Sequence, residues 1–288
     1  MVMTDPRHPE TLFANVGEHR VAYRISGVGP PDVVMSPGLW SHMELIREDP
    51  GHVNFRGRVQ SFSRCIGFDS LGTGLSDRPT SSSAVEYWID SCAAVLDAAS
   101  APAPVIVSLF GSGPLALQFV GRYPQRCSGL VFINTYACWA ARPGYTAGAS
   151  PEEIAKTREF LAKSWGRTGF PVPSAPSQAD NAEFLRWSAS IQRAMASPSA
   201  VLEGLAALEQ TDSRHVLSQI RVPTLVMART GLAPGAFARS RYISDHIAHA
   251  HFVELPGSDI APFYETPELI LNHMEDFIRG LSGKKSVA

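Results

Sequence analysis

The chain has 288 residues, of which 44% are hydrophobic and 18% charged, and its formal net charge is −2 at pH 7. A chain of this length and composition can bury a sizeable core as one large domain or as a domain with an inserted subdomain. The near-neutral charge argues against nucleic acid and anionic membrane surfaces as partners. No apolar run reaches the roughly 20 residues that a membrane-spanning helix needs.

Cysteine spacing and the N-terminus indicate the compartment. The four cysteines show neither paired spacing nor a C-x-x-C motif, so we expect reduced core thiols and no metal. The opening stretch M-V-M-T-D-P-R-H-P-E lacks the charged and apolar regions of a signal peptide. We therefore predict a cytoplasmic protein that holds neither a metal nor a cofactor.

The first half of the chain alternates between strand and helix patterns. Period-two alternation predicts a β-hairpin over 12–16 and 20–26. Short apolar, β-branched runs predict buried strands, and apolar residues at helical spacing predict a helix over 84–98. The buried strands are expected at 32–35, 64–68, 105–109 and 130–133. This alternation predicts an α/β protein with a doubly wound, mostly parallel sheet.

Helical patterns alone follow over residues 136–220. A capping box at Ser150 starts the first helix there, which should run to about Trp165. Further helices are expected over about 181–195, from 197 onward and over 212–220, with a loop at 170–178. Strands resume at 222–227 and 251–255, and a last helix starts at Thr266 and ends near Gly280. We therefore divide the chain into a core (1–135), a helical cap (136–220), the rest of the core (221–281) and a tail (282–288).

The junction between the strand at 105–109 and the following helix organises the candidate site. Gly111 and Gly113 permit a tight turn, and small residues at Ser108 and Ser112 let the two backbones approach closely. A nucleophile is displayed at the apex of such a strand–turn–helix junction in several enzymes. The apex here is Phe110, whose phenyl ring cannot attack a substrate.

Several stretches together carry a resemblance to a known family. They are P-G-L-W-S-H-M-E-L (37–45), E-D-P (48–50), S-F-S-R-C-I-G-F-D-S-L-G-T-G-L-S-D-R-P (61–79), R-Y-P-Q-R-C-S-G-L-V-F-I-N-T-Y (122–136), R-V-P-T-L-V-M (221–227) and V-E-L-P-G-S-D (253–259). The chain resembles the α/β-hydrolase superfamily over nearly its full length. More narrowly, it is similar to the hydrolase-like domains found N-terminal to bacterial class III adenylate cyclase domains. The resemblance implies the α/β-hydrolase fold with a helical cap before the last two strands.

The resemblance also implies where a catalytic triad would lie. In this superfamily a serine is followed by an acid and then by a histidine. Their positions are occupied here by Phe110, by Leu232 in the loop after the strand at 222–227, and by Ile260 in the turn G-S-D-I. A single surviving partner would be a buried, unsatisfied polar group that costs about 1–3 kcal/mol. This cost gives a physical reason for replacing all three, and we expect the usual serine-hydrolase mechanism to be absent.

Other parts of a hydrolase site are implied to remain. The backbone N–H groups of Leu39 and Gly111 would form the oxyanion hole, since backbone donors do not depend on side chains. The side chains expected around the cavity are Trp40, Ser41, Ser112, Tyr136, Trp139, Ser258 and Asp259. Their aromatic rings favour a pocket for a small apolar ligand.

Three functions are compatible with these observations. The favoured one is a non-catalytic pseudoenzyme that senses a small ligand or regulates a cyclase or another regulatory domain. The second is an active hydrolase, lyase or isomerase on a small apolar substrate that uses non-standard residues such as Ser112 or Asp259. The third is an interaction module whose pocket is filled. The sequence leaves the oligomeric state open.

Overall fold

The computed structural model describes residues 9–79, 84–169 and 172–284, with side chains described as far as Leu281. Most of the N-terminal stretch read for a signal peptide lies outside these ranges. So do residues 170–171 of the predicted loop and the last four residues of the predicted tail.

The described residues form one sheet of eight strands. Their bounds are β1 Leu12–Val16, β2 His19–Gly27, β3 Asp32–Ser36, β4 Arg64–Phe68, β5 Val105–Leu109, β6 Gly129–Ile133, β7 Thr224–Arg229 and β8 His251–Leu255. The strand order is β1-β2-β4-β3-β5-β6-β7-β8. Only the β1–β2 and β2–β4 pairs are antiparallel, and all other neighbours run parallel. This arrangement confirms the predicted doubly wound, mostly parallel sheet.

Helices connect the strands and cover both faces of the sheet. Within the described ranges they are α1 Pro50–Gln60, α2 Ala84–Ala98, α3 Gly113–Arg122, α4 Pro151–Ser164, α5 Ala182–Met195, α6 Pro198–Gln210, α7 Arg214–Leu217, α8 Pro234–His246 and α9 Pro267–Lys284. None of these helices has the length and apolar character required to span a bilayer.

Each face of the sheet packs against its own set of helices. Alternate strand residues such as Val34 and Ile106 join one cluster with α2 and α3, and their neighbours Val33 and Val105 join a second cluster with α1 and α9. This follows from the pleat, because successive side chains of a strand point to opposite faces. Central parallel strands such as β5 and β6 are buried throughout, as the continuous apolar runs predicted.

Helices α4 to α7 lie between β6 and β7 in the chain, so the cap is inserted before the last two strands as expected. Two boundaries differ from the sequence prediction. The fourth cap helix is one short turn rather than a helix over 212–220, because the Asp212 carboxylate bonds the N–H and guanidinium of Arg214 in a local loop. The last helix continues beyond Gly280 to Lys284.

Candidate functional site

The junction after β5 has the backbone geometry of a nucleophile elbow. Phe110 has φ +51, a left-handed conformation that is uncommon for a bulky residue. The Ser108 and Ser112 hydroxyl oxygens lie 2.9 Å apart, so strand and helix meet where the small residues were expected. The structure therefore displays Phe110 at the apex of a strained turn between β5 and α3.

The prediction that Ser112 faces the cavity is wrong. Its side chain is fully buried, and its hydroxyl donates to the Leu109 carbonyl at 2.7 Å and accepts from the Leu109 N–H at 2.9 Å. The Ser108 hydroxyl is its third partner, so Ser112 stabilises the turn on the side that faces the core. It does not line the cavity and is not placed to attack a ligand.

Ser258 and Asp259 also lie away from the cavity, in contrast to the sequence prediction. Ser258 is exposed, and its N–H bonds the Glu265 carboxylate. The Asp259 carboxylate is buried against the cap, where it accepts hydrogen bonds from the N–H and hydroxyl of Ser177 at 2.9 and 2.5 Å. Asp259 therefore ties the β8–α9 loop to the cap instead of facing a substrate.

A cavity of about 600 Å³ lies between the sheet and the cap. Phe110, Leu232 and Ile260 all line it, although they come from three separate loops. Leu39, Gly111, Trp40, Ser41, Tyr136 and Trp139 line it too. The volume is within the range of small-molecule sites, so the alternative of a filled pocket is wrong.

Asn134 holds the loops after β7 and β8 beside the elbow. Its side-chain oxygen accepts the Arg229 N–H at 3.0 Å, and its amide nitrogen donates to the Ile260 carbonyl at 2.9 Å. The two loops also approach directly, since Gly231 N–H bonds the Gly257 carbonyl at 2.9 Å. These bonds fix the backbone that presents the cavity wall.

A histidine–aspartate pair at the start of α1 was missed in the sequence analysis. Asp49 caps the helix and accepts the His52 N–H at 2.8 Å. The same carboxylate oxygen lies 2.8 Å from His52 Nδ1 and accepts the Tyr264 hydroxyl at 3.1 Å. His52 lines the cavity. The motif D-P-x-H was a usable signal, because an N-cap Asp accepts the backbone N–H of the residue three positions later and so lies close to that residue.

The surroundings of His52 favour a neutral imidazole. Burial lowers the pKa of His52 and outweighs the opposing effect of Asp49. Burial would raise the pKa of Asp49, but hydrogen bonds from His52 and Tyr264 lower it overall. The ionised carboxylate therefore accepts Nδ1–H, and the lone pair of Nε2 is left to accept a proton. No described residue donates a hydrogen bond to this nitrogen.

Aromatic rings connect this pair to the elbow. The imidazole lies over Phe263 with ring centroids 3.8 Å apart, and Trp187 lies 5.3 Å from it. Phe263 in turn lies 6.2 Å from the Phe110 ring. His52 and Phe110 therefore share one apolar wall of the cavity.

Tyr136 adds a hydroxyl next to the elbow. A Cβ placed on Gly111 would lie 3.1 Å from Tyr136 Oη, and this oxygen bonds no described residue. Burial raises the pKa of the phenol, which keeps it protonated at neutral pH. Leu39 N–H likewise donates no hydrogen bond to a described residue. Tyr136 and Gly111 therefore lie together at the cavity wall, and Leu39 lines the same cavity.

Asp69 is a buried carboxylate that lines the cavity. Burial raises its pKa, but it accepts the N–H groups of Met43 and Leu75 at 3.0 and 3.1 Å. It therefore holds the glycine-rich turn at 69–77 against the loop at 37–45. No set of three or more His, Cys, Asp or Glu residues in the described ranges is arranged to hold a metal ion.

The strand order, elbow and inserted cap define the α/β-hydrolase fold. An esterase from Exiguobacterium antarcticum shares this fold with a TM-score of 0.78 and 18% identity, covering 94% of this chain and all of that one. No family model matches the chain.

The chain is also similar in sequence to proteins that are named as hydrolases or esterases. A pimeloyl-[acyl-carrier protein] methyl ester esterase from Nitrosomonas europaea is 25% identical over 246 residues, which are 83% of this chain and 92% of the relative. The AB hydrolase superfamily protein YisY from Bacillus subtilis is 24% identical over 225 residues, or 74% of this chain and 81% of the relative.

These similarities contradict the favoured interpretation as a non-catalytic sensor or regulator. The proteins that the chain resembles are named as esterases and hydrolases, so the prediction of a pseudoenzyme is wrong. The cyclase or other regulatory partner and the cytoplasmic location stay predictions from the sequence.

Proposed function

We propose that the protein is an enzyme that hydrolyses a small apolar ester or lactone without a serine nucleophile. The observation that carries this proposal is the His52–Asp49 pair, whose Nδ1 to carboxylate distance is 2.8 Å, with His52 on the wall of the cavity that also holds the elbow. An imidazole oriented by a carboxylate is a general base. The similarity to esterases supports the same class of reaction.

The residues around the cavity supply the steps of general-base hydrolysis. His52 Nε2 takes a proton from water, and the water oxygen forms a bond to the substrate carbonyl carbon. Negative charge then develops on the carbonyl oxygen, where the N–H groups of Leu39 and Gly111 and the Tyr136 hydroxyl are the donors. When the bond to the leaving oxygen breaks, the imidazolium returns its proton to that oxygen. Water is consumed, and the acid and alcohol are released.

This mechanism accommodates the elbow as it stands. Phe110 stands where the resemblance places the catalytic serine, and its phenyl ring cannot act as a nucleophile. The hydroxyl of Ser112 is hydrogen-bonded to the backbone of Leu109 and is not available either. The Phe110 ring therefore provides an apolar surface against which the acyl part of the substrate packs. Trp40, Trp139 and Trp165 extend the apolar lining and favour a substrate with a hydrocarbon body.

The test is a turnover screen that distinguishes this mechanism from a serine hydrolase. Purified protein is assayed with short p-nitrophenyl esters and with γ- and δ-lactones that carry alkyl or phenyl groups. We expect turnover without a burst phase, no acyl adduct by intact mass spectrometry, and no inhibition by a fluorophosphonate. A covalent adduct on any serine, or no turnover across both substrate series, would contradict the proposal.

Replacing Tyr136 with phenylalanine should lower kcat by up to about 10²-fold, because one donor to the developing oxyanion is lost. KM should change little, since the neutral ground-state carbonyl accepts a weaker hydrogen bond. Steady-state kinetics on the best substrate of the screen checks this. Tyr145→Phe is a matched control, because the Tyr145 hydroxyl bonds the Cys138 carbonyl away from the cavity. Equal kcat values for Y136F and wild type would remove Tyr136 from the mechanism.

A further inference from the structure

Arg56 lines the cavity, as do Arg167, Arg239 and the carboxylate of Asp69. It lies on α1 one helical turn after His52, so both side chains occur on the same helix face. Both line the cavity. The half-buried Arg56 makes no hydrogen bond or ion pair with a described residue. Removing a cation from water without a partner is costly, so a half-buried arginine without one is unusual.

Gly67 makes room for this guanidinium. A Cβ on Gly67 would lie 2.8 Å from Arg56 Nη2 and 3.1 Å from Nη1. Gly67 lies inside strand β4, where glycine weakens a strand and commonly marks a close approach by another group. The glycine therefore lets the Arg56 guanidinium lie against the sheet at the edge of the cavity.

The charges near Arg56 do not neutralise it. Arg24, a second arginine that feels the charge of Arg56, is paired with Glu44. The Asp49 carboxylate accepts hydrogen bonds from His52 and Tyr264 instead. The positive charge of Arg56 contributes to the lowered pKa values of both His52 and Arg24. Arg56 therefore keeps an unpaired positive charge on the cavity wall.

We propose that Arg56 binds a carboxylate group of the substrate, which makes the substrate a small apolar ester or lactone that also carries a carboxylate. The inference rests on the proposed function, since it names the substrate class of the same cavity. A planar guanidinium can donate two parallel hydrogen bonds to a carboxylate. The carboxylate at Arg56 would orient the hydrocarbon body along the aromatic wall toward the elbow.

The test compares a carboxylate with its neutral amide by isothermal titration calorimetry. The probes are 4-phenylbutanoate and 4-phenylbutanamide, together with the straight-chain acids and amides from four to ten carbons. We expect the acids to bind wild type about tenfold more tightly than the amides, the usual advantage of a charge-assisted pair. Arg56→Met should reduce this preference to about twofold or less and leave amide affinity unchanged, and Arg56→Lys should restore part of it.

Two further variants separate position from charge. Gly67→Ala should weaken acid binding without affecting the amide, because the added Cβ displaces the guanidinium. Arg58→Met is the matched control, since Arg58 lies on the same helix and pairs with Glu275. Arg58→Met should leave the preference unchanged.

The outcomes distinguish this inference from the proposed function. His52→Gln should keep the preference for acids even though turnover is lost, because binding needs no proton transfer. No preference for acids in wild type, including no binding across the whole series, would overturn the role of Arg56. A preference retained in Arg56→Met would overturn it as well. Turnover of esters that lack a carboxylate, with kcat/KM equal to that of carboxylate esters, would also count against it.

Discussion

Replacing His52 with glutamine should lower kcat by about 10²- to 10⁴-fold, the usual contribution of a general base. Glutamine fills similar space but cannot accept a proton from water at neutral pH. The fold should survive, because the Asp49 carboxylate keeps the backbone N–H of residue 52 and the Tyr264 hydroxyl as partners. Steady-state kinetics and thermal unfolding of the same preparations check both statements.

Asp49→Asn tests the orienting carboxylate separately. Asparagine is also a good helix N-cap, so α1 should begin where it does now. The amide does not stabilise the imidazolium that forms when Nε2 accepts a proton, and kcat should fall even though the base is still present. His246→Gln is the control for His52→Gln. His246 is an exposed histidine at the end of α8, so this change should alter neither kcat nor KM.

The pH dependence of the rate follows from the direction of the His52 pKa. The base works only when Nε2 is unprotonated, so kcat/KM should rise with pH and reach a plateau above the pKa of His52. Burial lowers this pKa from its ordinary value of 6.5, so the midpoint should lie below 6.5. Full activity of His52→Gln, or a wild-type profile that is flat through this range, would exclude His52 as the base.

Much of the scaffold could be predicted because its determinants are local. Ser108 and Ser112 flank the apex of the turn, and their small size was enough to locate the elbow and Phe110. The apolar runs of β5 and β6 predicted strands that are buried on both faces. Such signals depend on neighbours a few residues apart, where backbone and side-chain constraints act directly.

The candidate base could not be found in the same way. His52 is placed in the cavity by rings from distant parts of the chain, with Trp187 in the cap and Phe263 after β8. A sequence does not show that these segments meet. The predictions that Ser112 and Asp259 face the cavity were wrong for a related reason. A small side chain or a high turn propensity does not show in which direction the hydroxyl or carboxylate points. In the structure the Ser112 hydroxyl bonds Leu109 and the Asp259 carboxylate bonds Ser177, so neither group is free to contact a ligand.

The loop that presents Phe263 to His52 depends on a buried ion pair. The Arg229 side chain at the end of β7 is 0% exposed, and its Nη1 lies 3.1 Å from a carboxylate oxygen of Glu265 whose side chain is 30% exposed. The same oxygen accepts the N–H groups of Ser258 and Asp259 at 2.6 and 2.9 Å. Glu265 therefore neutralises a buried cation and also closes the loop between β8 and α9.

Glu265→Ala should lower the free energy of unfolding by about 3–5 kcal/mol, because it leaves the Arg229 charge buried without its carboxylate. Arg229→Met should cost less, since the half-buried Glu265 that remains can be solvated. The double variant should lose less stability than the sum of the two single variants, because both changes remove one interaction. Guanidinium chloride denaturation gives these values, with Glu152→Ala, a change in the exposed Glu152–Lys156 pair, as the control that should behave like wild type. A Glu265→Ala variant as stable as this control, or strict additivity in the double variant, would mean that the pair does not hold the loop.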